Sequence, residues 1–172
     1  MRRYAIADLH FGHQNIIDYQ NRPFNDWKNM NEKMIEWWNE TVNENDIVYV
    51  LGDFTLSRSI RIIVNLLNRL KGKKVLIMGN HDTRKPKDYV ECGFEYVSKK
   101  PIMIEPGIIL MHEPFADLSL VVPNYIYFFG HVHAKETPMD TCSNCMCVSV
   151  ERIGYKPIDL DKVIKNIKAK IK

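Results

Sequence analysis

Gly79-Asn80-His81-Asp82 is the stretch of this 172-residue chain whose residue types are best suited to chemistry. It brings an amide, an imidazole and a carboxylate together in one turn. The turn follows the apolar run Lys74-Val75-Leu76-Ile77-Met78, which we predict to be a short buried strand. Loops that leave the C-terminal ends of strands in α/β sheets converge on ligand sites. By itself the motif is equally compatible with a plain turn, so its partners decide its meaning.

Polar side chains that can bind metal recur where other predicted strands end. The candidates are Asp8, His10, Asp53, Asn80, His81, His112, His131 and His133. They include five of the six histidines, and the sixth, His13, lies three residues beyond His10. Asp8 and His10 are two residues apart, as are His131 and His133, so each pair is expected to point to one side of an extended segment.

Oxygen and imidazole donors without thiolates favour zinc, manganese, iron or nickel over a structural cysteine-rich zinc site. Seven candidate ligands remain when one histidine is set aside for catalysis. One ion does not need so many ligands, whereas two ions that share a bridging carboxylate would use them all. Two ions about 3.5–4 Å apart polarise a phosphoryl oxygen and bind a water or hydroxide nucleophile. The sequence therefore predicts a two-metal site that hydrolyses a phosphoester.

Alternating strands and helices are predicted to position these residues. Strands are expected over residues 3–7, 47–51 and 74–78, and helices from about residue 30 to 42 and from residue 57 or 59 to 70. Asn29 or Asn31 is the expected cap of the first helix. This order favours right-handed βαβ crossovers and a partly parallel sheet. Asp8, Asp53 and Asn80 would then lie at one edge of the sheet.

Short strands dominate the second half of the chain. They are expected over residues 95–98, 101–105, 108–111, 125–129, 147–151 and 155–158. Pro106-Gly107 predicts a hairpin turn, and a second hairpin is expected in the cysteine-containing region after His133. Asp159 or Asp161 is expected to cap a last helix. The residues expected on its buried face are Val163, Ile164, Ile167 and Ile171.

The composition is that of an ordinary soluble globular protein, with 45% hydrophobic and 26% charged residues. The length predicts one domain over residues 1–172. A formal charge of +3 and a pI near 8.6 fall short of the basic footprint of a dedicated nucleic-acid binder. The N-terminus fits neither a signal peptide nor a membrane span, and there is no run of 18 apolar residues. We therefore expect a cytoplasmic protein with no membrane partner.

Cysteines occur at positions 92, 142, 145 and 147, and a cytoplasmic location predicts free thiols. Cys142-x-x-Cys145-x-Cys147 could hold zinc or act as a redox pair. A second ligand pair at structural-zinc spacing is absent from the sequence, which disfavours zinc. The role of these three cysteines stays open.

The candidate residues resemble the motifs of the calcineurin-like metallophosphoesterases. The matching motifs are Asp8-x-His10, Gly52-Asp53, Gly79-Asn80-His81-Asp82, His112 and Gly130-His131-x-His133, in the family's usual order. Compact, single-domain bacterial and phage-type members are also similar at residues 8–17 and 148–160. The resemblance implies an α/β fold, a four-layer sandwich of two facing mixed β-sheets flanked by helices.

The resemblance also implies roles for individual residues. One metal ion would be held by Asp8, His10 and His133, the other by Asn80, His112 and His131, with Asp53 bridging them. The cofactors would be two divalent ions, with manganese favoured and iron, zinc, nickel or magnesium as alternatives. His81 would stabilise or protonate the leaving oxygen. We expect Asp82 to orient His81 or brace the turn, and we carry His13 as a substrate contact.

The activity predicted is that of a metal-dependent phosphoric ester hydrolase, a phosphodiesterase or phosphatase. It would cleave a small, nucleotide-like phosphoester by attack of a metal-bound hydroxide. A nuclease or RNA-end phosphodiesterase is the alternative, although mild basicity disfavours nucleic acid as the partner. A non-catalytic scaffold on the same fold is less favoured because His81 and every ligand are present. Family members that act on phosphoproteins continue the second motif with Asp-Arg, whereas Phe54-Thr55-Leu56 follows Asp53 here.

Overall fold

The computed structural model describes residues 1–170 and contains two β-sheets with flanking helices. The strands are β1 (Arg3–Ile6), β2 (Ile47–Val50), β3 (Lys73–Ile77), β4 (Tyr96–Ser98), β5 (Ile102–Glu105), β6 (Ile108–Leu110), β7 (Ile126–Phe129), β8 (Cys145–Cys147) and β9 (Ile158–Asp159). The helices are α1 (Asn15–Tyr19), α2 (Trp27–Thr41), α3 (Ile60–Arg69), α4 (Pro86–Cys92), α5 (Val150–Ile153) and α6 (Leu160–Lys170). Short 3₁₀ turns cover Leu118–Leu120 and Pro138–Thr141.

The first sheet has the strand order β4-β3-β2-β1-β9. Strands β1 to β4 are parallel neighbours, and β9 is antiparallel to β1. The connections from β1 to β2, from β2 to β3 and from β3 to β4 each contain a helix. The βαβ pattern and the partly parallel sheet predicted from the sequence are therefore confirmed.

The second sheet has the order β5-β6-β7-β8. The antiparallel pair of β5 and β6 confirms the hairpin predicted at Pro106-Gly107. The second predicted hairpin is wrong, because β8 runs parallel to β7. The strand predicted over residues 147–151 is also wrong beyond Cys147. There the chain leaves this sheet to bridge Ala7 of the first sheet at Ser149, and α5 follows.

One helix start differs from the prediction, and one short helix was not predicted. Helix α2 is capped by Asp26, whose carboxylate accepts the backbone N–H of Asn29, so neither Asn29 nor Asn31 caps it. Asn31 instead accepts the N–H of Gly12 from a distant loop. Helix α1, which the sequence pattern did not predict, is only five residues long. A helix this short depends on tertiary contacts, because nucleation is unfavourable in isolation.

The core lies in three apolar clusters. The inner faces of the two sheets meet in a cluster that contains Ala5, Ala7, Leu51, Ile77, Ile108, Leu110, Ile126, Phe128 and Val148. Helix α6 adds Leu160, Ile164 and Ile167 to it, and Asp159 accepts the N–H of Lys162 at its start. Ile171, which was predicted to face inward, lies outside the described residues.

The outer face of the first sheet packs against α2, α3 and α4 around Met30, Trp38 and Ile63. The outer face of the second sheet packs Tyr127 and Phe129 against Met139 of a 3₁₀ turn. The predicted fold class, two mixed sheets with flanking helices, is thus confirmed. Within residues 1–170, no helix has the length and apolar character needed to cross a membrane.

Parallel strands from both sheets end at one shared edge. At this edge the first sheet is joined to the second by hydrogen bonds from Ala7 N–H to Val148 C=O (2.9 Å) and from Val150 N–H to Ala7 C=O (3.1 Å). Gly130 N–H also reaches His112 C=O (2.9 Å). The loops that follow β1, β2, β3, β6 and β7 therefore meet, and they carry the candidate site residues.

Candidate metal centre

The loops at this edge contain an unusual concentration of left-handed backbone. Positive φ angles occur at Asp8 (60°), His10 (51°), Asp53 (54°), His131 (73°) and His133 (53°), which are five of the seven non-glycine residues with such angles in residues 1–170. The extended geometry predicted for the Asp-x-His and His-x-His pairs is therefore wrong. Residues other than glycine adopt this backbone region at an energetic cost, and the strain persists only where the surrounding structure imposes it.

One group of donors consists of Asp8, His10 and His133, whose candidate ligand atoms all lie within 4.8 Å of one another. Asp8 is fully buried and accepts hydrogen bonds from the backbone N–H of His131 (2.9 Å) and from the hydroxyl of Ser149 (2.6 Å). Burial raises the pKa of the Asp8 carboxyl to about 7.

His10 is 1% exposed, yet neither of its ring nitrogens has a hydrogen-bond partner among the described residues. Burial, followed by the charge of Arg22, lowers the pKa of His10 to about 2, so the imidazole is neutral. Buried polar groups are normally hydrogen-bonded because an unsatisfied group is costly. A neutral, orphaned imidazole beside a buried carboxylate is the form in which histidine binds metal.

A second group of donors surrounds His112. Its Nδ1 lies 2.8 Å from the carbonyl oxygen of Leu51, and because a carbonyl only accepts, Nδ1 carries the proton. Nε2 therefore presents a lone pair to Asn80 Oδ1 (3.1 Å) and to His131 Nδ1 (3.2 Å). Asn80 Oδ1 is also 3.0 Å from His131 Nδ1.

Asp53 lies between the two groups. Its Oδ2 is 3.5 Å from His10 Nε2 and 3.7 Å from His112 Nε2. The ligand atoms of Asp8, Asp53 and His112 also fall within 4.8 Å of one another. A single buried carboxylate oxygen is thus within reach of both donor groups, as a bridging ligand would be.

The donor set fits divalent metal. The lone pair on His112 Nε2 faces the amide oxygen of Asn80 and a carboxylate oxygen of Asp53, so three electron-rich atoms lie together. Both ring nitrogens of His10 also lack a hydrogen-bond partner among the described residues. Bound cations reverse this unfavourable electrostatics and become the largest local charges in such a site. Mixed oxygen and imidazole donors are compatible with several divalent ions.

Two glycines allow the loops to approach each other closely. A Cβ at Gly79 would lie 2.2 Å from Asp53 Oδ1 and 2.7 Å from His112 Cε1. A Cβ at Gly52, where φ is +89°, would lie 2.2 Å from His112 Nδ1. Any larger residue at either position would displace a candidate ligand, which explains in physical terms why glycine precedes Asp53 and Asn80.

His81 and His13 border the donor groups without joining them. The ring of His81 is exposed and its centroid is 5.3 Å from that of His10, while its backbone N–H donates to Asp53 Oδ1 (2.9 Å). The ring of His13 lies 5.7 Å from that of His10, and its Nδ1 is buried without a partner among the described residues. His81 is thus placed on the open side of the site.

Asp82 braces the turn, which is one of the two roles expected for it. Its carboxylate accepts the backbone N–H groups of Gly79 (2.9 Å), Asp53 (2.8 Å) and Phe54 (3.1 Å). Within residues 1–170 the Asp82 carboxylate makes no hydrogen bond to the His81 ring, so the alternative of orienting that ring is not realised. One buried carboxylate instead ties the loop after β2 to the loop after β3.

Comparisons with known proteins agree with this geometry. Residues 1–114 match the model of the calcineurin-like phosphoesterase family. The chain is also 40% identical to the uncharacterized protein MJ1445 of Methanocaldococcus jannaschii, over 95% of this chain and 90% of that protein. The chain belongs to the calcineurin-like phosphoesterase family.

Two solved structures and a phage protein are also similar to this family member. The protein of unknown function AQ665 from Aquifex aeolicus superposes with a TM-score of 0.76 at 26% identity, covering 96% of this chain and 98% of the other. The nuclease MPE of Pseudomonas putida superposes with a TM-score of 0.52 at 25% identity, covering 77% of this chain and 62% of the nuclease. The gene 66 protein of Mycobacterium phage D29 is 36% identical over 48% of this chain and 41% of its own length.

Sequence reasoning missed three residues that contact the donor groups of the candidate metal centre or the backbone that carries them. They are Arg22, Ser149 and Glu151. Ser149 and Glu151 lie in the segment 148–160, whose resemblance to compact family members was the available signal, whereas nothing in the sequence marked Arg22. Burial raises the pKa of Glu151, but the hydrogen bond with His133 and the charge of Arg22 lower it more, so that its pKa lies below the ordinary value.

The cysteines take no part in these donor groups. All four are free thiols, and the candidate metal groups found within residues 1–170 contain none of them. Cys147 is buried and its thiol lies 3.2 Å from the Ser149 hydroxyl. Burial raises the pKa of Cys145 to about 12, which disfavours the thiolate needed for redox or metal chemistry.

Proposed function

We propose that this family member is a two-metal phosphoesterase that hydrolyses a small, nucleotide-like phosphodiester or phosphomonoester. The observation that carries the proposal is the position of Asp53 Oδ2, which lies 3.5 Å from His10 Nε2 in one donor group and 3.7 Å from His112 Nε2 in the other. A bridging carboxylate between two sets of oxygen and imidazole donors is the arrangement that two-metal hydrolases use.

Each residue has a proposed role in this centre. Asp8, His10 and His133 would hold one ion, Asn80, His112 and His131 would hold the other, and Asp53 would bridge them. Two divalent ions, when bound, would polarise the phosphoryl oxygen and offset charge on the attacking and leaving oxygens. Manganese remains the favoured ion, with iron, zinc, nickel and magnesium as alternatives.

His81 would assist the leaving group from outside the donor groups. Its backbone N–H donates to Asp53 Oδ1, and the residue is exposed, so its ring can meet a substrate that approaches from solvent. An imidazole in this position can donate a proton to the departing oxygen. We propose His13 as a substrate contact, which its ring position 5.7 Å from that of His10 supports.

Metal reconstitution tests the proposed function. Purified protein stripped with a chelator should bind two equivalents of Mn²⁺, and the loaded protein should hydrolyse p-nitrophenyl phosphate or bis-p-nitrophenyl phosphate while the stripped protein does not. Calorimetry gives the stoichiometry, and release of nitrophenolate gives the rate. Two bound ions with no cleavage of either ester would contradict the proposed activity.

A nuclease or nucleic-acid-end phosphodiesterase is the second candidate, and the structure offers one observation in its favour. A cleft of about 490 Å³ is lined jointly by Asn80 and His112 and by the exposed Lys99 and Lys100. Lysines beside the donor groups could neutralise phosphates beyond the one that is cleaved. The similarity to a nuclease points the same way.

Replacing both lysines separates the two candidates. If the substrate is a strand end, the Lys99→Ala/Lys100→Ala variant should show a KM for a short oligonucleotide that is about 10-fold higher, with a shallower salt dependence. Hydrolysis of bis-p-nitrophenyl phosphate should not change. Replacement of Lys162 and Lys165 on α6 by Ala is the matched control. An unchanged KM for the oligonucleotide would favour the small substrate.

The remaining expectations from the sequence stay proposals of the same kind. Residues 1–172 are proposed to form a single domain, because the apolar cluster between the sheets draws on both halves of the chain. A cytoplasmic location is also proposed, and four cysteines without a disulfide are compatible with it. The partner would be the phosphoester substrate.

A further inference from the structure

A buried ionic network lies directly behind the candidate metal centre. The side chain of Arg22 is 0% exposed and that of Glu151 is 4% exposed. Arg22 Nε and Nη2 both donate to Glu151 Oε1, at 3.0 and 2.7 Å. Charged groups are almost never buried to this extent unless they are paired. Because these residues are 129 positions apart in sequence, the pair links an N-terminal loop to a C-terminal segment of the chain.

The same carboxylate oxygen contacts a candidate ligand. His133 Nδ1 lies 2.9 Å from Glu151 Oε1. An ionised carboxylate only accepts hydrogen bonds, so Nδ1 carries a proton, and in the neutral ring, the form that binds metal, Nε2 holds the lone pair. Metal-binding histidines are usually held in this way, because the partner of the second nitrogen sets both the tautomer and the ring orientation.

Arg22 also holds the backbone that carries the other two ligands of this group. Its Nη2 donates to the carbonyl oxygen of Asp8 (2.8 Å) and its Nη1 to that of Leu9 (3.0 Å). Asp8 and His10 on either side of Leu9 have left-handed φ angles, a conformation that needs external support. One guanidinium therefore ties this loop to the carboxylate that orients His133.

We propose that Glu151 and Arg22 are positioning residues that set the metal affinity of one half of the centre, the half formed by Asp8, His10 and His133. The inference rests on the proposed two-metal function. Among residues 1–170, Arg22 and Glu151 form no hydrogen bond with Asn80, His112 or His131, so the loss of this network should act on one ion and leave the other. A merely structural ion pair would have no such selectivity.

The first test is the Glu151→Gln variant, in which the carboxylate is replaced by an amide of the same shape. Calorimetric titration of stripped protein with Mn²⁺ should show two sites in the wild type. In the variant, one site should lose about 10- to 100-fold in affinity while the other is unchanged. Glu36→Gln, which removes an exposed partner of Lys33 on α2, is the matched control and should leave both sites unchanged.

The second test reads the tautomer without any metal. Long-range ¹H–¹⁵N spectra of stripped wild-type protein should show His133 protonated at Nδ1. Glu151→Ala should convert this signal to a mixture or to the Nε2–H form. If wild-type protein binds no ions, the proposed function fails, but these spectra still decide whether Glu151 positions His133.

Loss of one partner of a buried ion pair can destabilise a protein strongly, so a variant that keeps the charge balanced is also needed. Arg22→Met/Glu151→Gln removes both charges, and thermal unfolding of the stripped protein checks that it folds. This variant should still show the selective loss of one Mn²⁺ site. The proposal would be overturned if every folded variant kept wild-type affinity at both sites or lost affinity equally at both. An unchanged His133 tautomer in Glu151→Ala would also overturn it.

Discussion

Asp53→Asn is expected to lose bound metal and activity together. The Oδ2 atom lies 3.5 Å from His10 Nε2 and 3.7 Å from His112 Nε2, and these distances support its proposed role as the bridge between the two ions. An amide has no charge to offset two cations, and its NH₂ group cannot act as a ligand. We expect kcat/KM for an aryl phosphate ester to fall by at least about 10²- to 10³-fold, the scale on which a lost electrostatic stabiliser acts.

Metal content and rate must be measured on the same preparation of the Asp53→Asn variant. Calorimetry with Mn²⁺ should show fewer than two sites. Asp117→Asn is a suitable control because Asp117 is an exposed cap of a 3₁₀ turn and lies outside the donor groups. Thermal unfolding of the stripped proteins shows whether the variant is folded. Two tightly bound ions with wild-type turnover would exclude Asp53 as the bridging ligand.

His81→Ala is expected to lower turnover while both ions remain bound. His81 is exposed, its ring lies 5.3 Å from that of His10, and within residues 1–170 its one hydrogen bond to a candidate ligand is from the backbone N–H to Asp53. A methyl side chain keeps that N–H but removes the proton donor. General acid catalysis contributes about 10²- to 10⁴-fold, and we expect a loss of kcat in this range.

The dependence on the leaving group gives this prediction an internal control. A nitrophenolate leaves readily without a proton, whereas phenolate or an alkoxide needs one. His81→Ala should therefore cost far more kcat with phenyl phosphate than with p-nitrophenyl phosphate. Equal losses for both esters would show that the ring does not protonate the leaving oxygen. Metal loss as severe as in Asp53→Asn would show instead that His81 supports the centre itself.

Local patterns in the sequence were sufficient for most of the fold. Apolar runs predicted β1, β2, β3, β6 and β7 to within one or two residues, because each run is short, buried and followed by a turn. Predictions failed where long-range contacts override local preference. The run after Cys147 contains the β-branched residues Val148 and Val150, which favour a strand. Ser149 nevertheless pairs with Ala7 of the first sheet, and Val150 begins α5. The cap of α2 is a local exception: Asp26 accepts the N–H of Asn29, because the helix begins at Trp27, three residues before the first residue of the apolar repeat, Met30.

Residue types and motif order by themselves determined which side chains could form the site. The sequence alone shows an amide, carboxylates and histidines at the ends of successive predicted strands. Because the C-terminal ends of parallel strands lie at one edge of a sheet, this pattern predicts that the side chains meet there. The family follows from the same motifs.

Only the tertiary structure decided how those side chains are held. The left-handed backbone at Asp8 and Asp53, the Nδ1 proton of His112 on Leu51 and the bracing role of Asp82 all depend on contacts with other loops. The clearest case is Glu151, which reaches Arg22 across 129 residues. No periodicity or spacing encodes such a contact, because it arises when the two sheets pack and bury both charges beside the same ligand.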